Sequence, residues 1–380
     1  MKLIYRNIIK TYINPFIYSI LFCTFIFVLG EILQIIQDVY KYNSSIKYVF
    51  KYYQYYLPFI IVNYVLPICC LLAVFFSIGI MLKNKELIIY RAIGMSSLQI
   101  FTPIFIIVFL ITCFSFFMIY FYLPDMYKKA KEVYTYKIKN LPVPKEEFDN
   151  VIIYLSSEYF LKAKKFLPAE KKFIDVSIIK TIDFISFDKR YDAEFLVFKN
   201  NNWYLLNGKI RYFKNELVEE FKELNIPTTQ IIYKTENFNE IMIAVNEKPD
   251  ELLNILRVDK KRVEEIRIDE LIKLIKYKKI FKSEYNKSKV QLYNKFANSL
   301  RNISLTFIGL PIALKSSSIS LSGGFGISLL LSFVYWILSS ITFSLGLNEI
   351  LSPVISAFII DFLFIFSGIY FFIKIKNDYY

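Results

Sequence analysis

The sequence predicts an α-helical membrane protein. It would have six transmembrane helices, three on either side of an inserted extracytoplasmic domain of β-sandwich or jelly-roll-like form. Two observations lead there. The 380 residues are 55% hydrophobic, yet the apolar ones gather in long, nearly charge-free blocks near both ends. The charges gather between the blocks: residues 124–290 hold 27 of the 33 acidic and 33 of the 47 basic residues. A soluble core spreads its apolar residues at helix or strand spacing, whereas a spanning helix needs about 20 in succession. The chain therefore divides into residues 1–123, 124–290 and 291–380: membrane, water and membrane again.

The first span is expected at residues 15–36, interrupted only by Glu31, and the next two at 57–82 and 98–123, both uncharged. The others are expected at 296–314, 325–347 and 350–373, the last with Asp361 near its middle. In the fourth, Arg301 leaves only 302–314 free of charge. The first block is too long for a signal peptide and no small-residue cleavage site follows it, so it reads as a retained helix. Basic residues in short flanks set orientation. Lys2, Arg6, Lys10, Lys83, Lys85, Arg91, Lys315, Lys374 and Lys376 all fall on one side if the N-terminus is cytoplasmic. Lys41, Lys47 and Lys51 are the minority on the other side.

The middle segment then lies outside the cytoplasm. Residues 151–155, 175–182 and 194–198 are rich in β-branched and aromatic residues, the signature of strands. Asn200, Asn201 and Asn202 make a turn between two such runs, and Asn207-Gly208 is a candidate second turn after Trp203. Leu271, Ile272, Leu274 and Ile275 give residues 269–280 the spacing of a short amphipathic helix.

Charge and composition exclude several chemistries. Of the formal +14, about +6 (33 − 27) belongs to the middle and +8 (14 − 6) surrounds the apolar blocks. That placement suits anionic lipid, not nucleic acid. Cys23, Cys69, Cys70 and Cys113 all sit in apolar blocks as small hydrophobes, so the middle segment has no disulfide framework. The chain has no histidine, which removes imidazole catalysis and histidine-bound zinc. With no phosphate-binding loop and no metal cluster, neither a catalytic site nor a cofactor is expected. Gly323-Gly324-Phe325-Gly326 reads as a flexible turn at a helix start.

The 83–97 loop carries the most specific pattern. Gly94 is placed to end a short helix and Ser96 or Ser97 to cap the next. The short helix would present Leu87, Ile88, Tyr90 and Ile93 beside charged residues at the cytoplasmic surface. It is either an interfacial helix lying on lipid or a coupling helix that docks into a cytoplasmic partner. Three acids lie in or near the apolar blocks, where charge is costly. Glu31 and Asp38 share a helix face if the first helix continues, with Gln34 between them. Asp361 is either a hydrogen-bonded structural acid or part of a transport path.

Several of these residues resemble one family. Glu86-Leu87 through Arg91-Ala92-Ile93-Gly94-Met95-Ser96 is similar to the signature loop of the LptF/LptG permeases of lipopolysaccharide export. Gly309-Leu310-Pro311-Ile312-Ala313-Leu314, followed by Gly323 to Ser328, resembles the family's fourth-helix end and next loop. Trp203 with Asn207-Gly208, and Asp269-Glu270-Leu271, are similar to its soluble-domain hairpin and late helix. Two departures stand out. Phe358, Ile360 and Asp361 occupy positions where the family often has Trp, Pro and Asn. The outer part of the first helix holds Glu31 and Asp38 where the family has bases.

The resemblance implies an inner-membrane subunit of an ATP-binding-cassette transporter. It would extract lipopolysaccharide or a related glycolipid and pass it to a periplasmic bridge. The implied partners are a cytoplasmic LptB-like ATPase dimer, a second LptF/LptG-type permease and an LptC/LptA-like periplasmic β domain. Glu86, Leu87, Tyr90, Arg91 and Gly94 would form the ATPase-coupling loop. Lys41, Lys47, Lys295 and Arg301 would meet the lipid head group. The alternatives from the residues alone are a membrane-anchored scaffold without transport, a four-helix exporter with its large domain after the first helix, and a proton-coupled carrier using Asp361.

Overall fold

The computed structural model of the chain describes residues 2–142, 146–155, 159–181, 187–216, 229–243, 247–280, 285–315 and 321–378. These fall into two compact units. One comprises Met1–Pro142, Arg262–Ile275 and Glu284–Tyr380; the other comprises Val143–Lys261 and Lys276–Ser283.

The first unit is helical. It begins with α1 (Lys2–Lys41), α2 (Lys47–Ile60) and α3 (Leu66–Lys83), the last two joined through a π-helical turn at Ile61–Val65. Pro58 precedes that turn and Pro67 follows it. Such a turn is a usual response to prolines that break the helical ladder. Then come α4 (Glu86–Ala92), α5 (Ser97–Phe121) and α6 (Leu123–Glu132), and later in the chain α9 (Tyr285–Lys315), α10 (Leu321–Leu347) and α11 (Pro353–Asp378); α8 (Ile268–Ile280) is divided between the two units.

Among the described residues, five helices are long and apolar enough to cross a membrane: α1, the continuous Lys47–Lys83 helix, α5, α10 and α11. They cover the expected first, second and fifth spans and most of the third and sixth, α5 ending at Phe121 and α11 beginning at Pro353. The expected fourth lies in α9, which does not pass on apolarity. The packing gives the reason: α9 lies against α3, α5, α10 and α11. A helix surrounded by protein can keep polar side chains that a lipid-facing helix cannot. A Cβ on Gly309 would stand 2.1 Å from the Leu71 side chain, and one on Gly368 would stand 2.3 Å from the Phe307 carbonyl oxygen. These glycines let α9 approach α3 and α11 closely, as small residues do between membrane helices. The outward faces of α1 and α10 are apolar, with Leu21, Phe25, Leu29 and Leu33 on one and Leu330 and Phe333 on the other exposed. The glycine run at 323–326 is no turn, because it lies within the first turns of α10.

The second unit holds a six-stranded antiparallel meander, β1-β2-β3-β4-β5-β6, among the described residues. The strands are β1 (Phe148–Leu155), β2 (Tyr159–Leu167), β3 (Lys172–Thr181), β4 (Phe187–Lys199), β5 (Asn202–Glu216) and β6 (Thr229–Ile243). Alternate residues such as Val151, Ile153, Leu161, Phe173, Val176 and Leu205 are buried with Leu252 and Leu256 of α7 (Pro249–Lys260). Trp203 anchors this core, its indole N–H donating to the Glu247 carbonyl oxygen at 2.8 Å. The asparagine turn forms as expected: Lys199 pairs with Asn202, and Asn200 and Asn201 have φ of 48° and 67°, the signs a type I′ hairpin requires.

The expected turn at Asn207-Gly208 does not form, since β5 continues through it. Asn207 does take a left-handed φ of 52°, but flanking partners hold the strand: Leu206 pairs with Phe195 and Gly208 with Ala193. The same lapse recurs across the sheet, at Asn150 opposite Lys164, Asp175 opposite Glu194 and Asn207 opposite Asn239. Asn150, Asp175 and Asn207 are all left-handed, one in each alternate strand. A left-handed residue interrupts the ladder and sharpens the local bend. The three together draw a crease across the sheet. Ile182, the end of one expected strand, lies outside the described residues.

Candidate functional site

The loop between α3 and α5 is built by local rules. Lys85 takes a left-handed φ of 58° and turns the chain into α4. Gly94 ends that helix with φ of 86°, its N–H donating to the Arg91 carbonyl at 2.9 Å, while Met95 N–H donates to Tyr90 at 3.1 Å. This reciprocal pair is a Schellman motif, which glycine enters without steric penalty. Ser96 then caps α5 in a capping box with Gln99 (3.0 and 3.3 Å).

Glu86 is the hub of the loop. Its carboxylate accepts from Asn7 Nδ2 (3.2 Å) on α1, Asn84 Nδ2 (3.1 Å) and Tyr90 Oη (3.2 Å). Asn7 also donates to Tyr90 Oη at 3.1 Å. Burial pushes the Tyr90 phenol up from its ordinary value, and the neighbouring Glu86 carboxylate adds to this, so Tyr90 stays protonated and donates. Leu87 and Tyr90 were expected on the presented face, but both point inward, 3% and 7% exposed. Helical spacing explains this, because residues three apart share the face that packs on the bundle. The outward face carries Ile88, Ile89 and Ile93, continued by Leu98, all exposed.

A cavity of about 470 Å³ opens among the π-helical turn at Ile61–Val65, α5, α9 and α10. Lys295 and Arg301 both line it, with Asn63, Asn298, Ser339 and Trp336. Lys295 is only 6% exposed. Arg301 Nε, Asn298 Oδ1 and Trp336 Nε1 are buried without a hydrogen-bond partner. Glu264 also lines it, so the wall carries two cations, one acid and unsatisfied donors, a set that suits an anionic or hydroxyl-rich group. Lys41 and Lys47 are not brought to it; they are exposed at the turn between α1 and α2, Lys41 lying over the Tyr42 ring (5.3 Å). Sequence reasoning missed Asn63, Asn298 and Trp336. The stripe Asn294, Asn298, Arg301, at helical spacing on α9, was the signal that could have found part of the set.

The acids on α1 and α11 are each engaged. Asp361, 1% exposed, accepts at Oδ1 from Ser304 Oγ of α9 (2.6 Å) and Tyr335 Oη of α10 (2.7 Å). The Arg301 guanidinium lies 6.0 Å from the Tyr335 ring centroid. Helix α1 does continue past residue 36. Asp38 accepts from Tyr134 Oη at 2.5 Å and lies 3.8 Å from Lys139 Nζ. Burial, then the hydrogen bond to Asp38, pushes the Tyr134 phenol up. Glu31 accepts from Tyr56 Oη at 3.1 Å.

No curated protein matches the sequence. One family model does match, over residues 6–374: lipopolysaccharide export system permease LptF/LptG.

Proposed function

The chain belongs to the LptF/LptG family of lipopolysaccharide export permeases, inner-membrane transporter components, and from that premise we propose that it is one permease half of an ATP-binding-cassette lipid exporter. In this reading α9 is the fourth of six spans, in a three-plus-three layout with membrane parts at 1–123 and 291–380. The 83–97 loop faces the cytoplasm and residues 124–290 face the periplasm. A second LptF/LptG-type subunit covers the apolar faces of α1 and α10. A periplasmic LptC/LptA-like β domain receives the lipid from the creased sheet, whose two halves form the layers of a jelly-roll-like groove. Lys295 and Arg301 hold the anionic head of lipopolysaccharide or a related glycolipid. Lys41 and Lys47 meet it on approach.

The observation that carries the ATPase partnership is the outward face of α4. Ile88 and Ile89 stand exposed on a seven-residue helix fixed at both ends, and Ile93 just after it, a shape suited to a groove on an LptB-like ATPase dimer. Glu86 is the proposed main polar contact, with Arg91 beside it. An acid desolvated against a partner's cation costs roughly 2–5 kcal/mol when truncated. Purification of the tagged chain from its own membranes tests the reading. The parent should bring down the ATPase and bound glycolipid, identified by mass spectrometry, and Glu86→Ala or Ile88→Asp should lose the ATPase while keeping the fold. A scaffold without transport would bring down no ATPase. Glu86→Ala that binds the ATPase and moves lipid like the parent would remove Glu86 from the contact.

A further inference from the structure

A second cavity, of about 230 Å³, lies beside Glu31. Tyr52, Tyr56, Tyr127 and Tyr134 line it with Glu31. The rings form a continuous set: Tyr52 lies 4.9 Å from Tyr56 and 5.7 Å from Tyr134, and Tyr56 lies 6.2 Å from Tyr127. One carboxylate oxygen of Glu31 accepts from Tyr56; the other, Oε2, is buried without a hydrogen-bond partner. A buried acceptor left open is costly, and its cost is relieved by a cation or a donor entering the cavity. Two protein cations reach the cavity wall. Lys131 is already ion-paired with Glu265 of the same unit, and Arg262 is exposed at the rim. Aromatic faces around one carboxylate bind an organic ammonium ion by cation–π attraction and charge pairing together.

We propose that the Glu31 cavity binds an alkylammonium group. The proposal rests on the lipid-carrier reading only for what bears that group: an amine on the head of a lipid, where a free amine is the other source. The site lies on α1, where the resemblance led to an expectation of bases, and it equips this chain for a cargo that carries an amine besides its anionic groups.

Native mass spectrometry of the detergent-solubilised full chain tests it. Phosphatidylethanolamine is compared with phosphatidylglycerol of the same acyl chains, so that only the ammonium differs. The parent should retain the ethanolamine lipid in preference, and Glu31→Gln, nearly isosteric, should reduce that retention about tenfold without changing phosphatidylglycerol. Tyr52→Leu should do the same through the lost ring face. Free ethanolamine that displaces the lipid identifies an ammonium site open to soluble amines; failure to displace it identifies a lipid-borne group. Equal retention of the two lipids by the parent, or indifference to Glu31→Gln in a chain with the parent's melting temperature, overturns the proposal. The assay contains no ATPase, so its failure is separate from a failure of the exporter reading.

Discussion

Asp361 joins three helices through one oxygen: Ser304 of α9 and Tyr335 of α10 both donate to its Oδ1 from α11. An asparagine keeps that acceptor, so Asp361→Asn should melt close to the parent in detergent and transport lipid nearly as well. Asp361→Ala leaves the Tyr335 hydroxyl, on a residue 1% exposed, without this partner, and should destabilise the chain by about 1–3 kcal/mol. A stably folded Asp361→Asn chain that transports nothing would bring back proton coupling. Lys295 and Arg301 make a different claim. Because both line the basic cavity, Lys295→Gln with Arg301→Gln should lower co-purified glycolipid severalfold, whereas Lys41→Gln with Lys47→Gln should lower it little. Equal losses from the two pairs would show that the cavity does not distinguish them.

At the scale of the element, Gly94 tests whether α4 is held or merely adjacent. A Cβ there would meet nothing within 4 Å, so the cost of Gly94→Ala is the left-handed backbone alone, about 1 kcal/mol. The chain should stay folded while the α4 end frays, seen as faster amide exchange at Met95. Unchanged exchange would mean that the Schellman closure contributes nothing. This loop was legible in the sequence because its signals are local: glycine at a helix end and serine three residues before glutamine act within one turn. The inward turn of Leu87 and Tyr90 was not legible, because only the bundle decides which face of a short helix is covered. Asn207-Gly208 misled for a related reason. The pair specifies a left-handed residue, and whether that becomes a turn or a crease depends on strand partners far away in sequence. Five apolar blocks were plain from composition, whereas α9 reads poorly because its neighbours, not lipid, surround it. The basic cavity was half legible, through Lys295 and Arg301. Its asparagines and tryptophan carry no charge to mark them, and the Glu31 cage is invisible until α1, α2 and α6 meet.

The whole molecule poses one question that α9 decides. If α9 spans, nine short-flank bases lie on the N-terminal side of the membrane and three on the other. If only five helices span, Lys315, Lys374 and Lys376 cross over, and the division becomes six (9 − 3) against six (3 + 3). Basic flanks favour the cytoplasm because translocating them is unfavourable, so the uneven division favours six spans with a cytoplasmic N-terminus. The two topologies place the loop between α10 and α11 on opposite sides while agreeing about the β-rich segment. Two labels therefore separate them. Asn201, in the hairpin turn, and Asn348, exposed just after α10, can each be replaced by cysteine. The parent is the blank, since its four cysteines lie within α1, α3 and α5. In intact spheroplasts a membrane-impermeant maleimide should label both variants. Labelling of Asn201→Cys alone would remove α9 from the spans, and labelling of either variant only after lysis would refute the side assigned to it. If both label, the basic cavity lies within a six-span bundle, with Lys295 and Arg301 of α9 on the half nearer the outer leaflet, where a lipid head group can reach them.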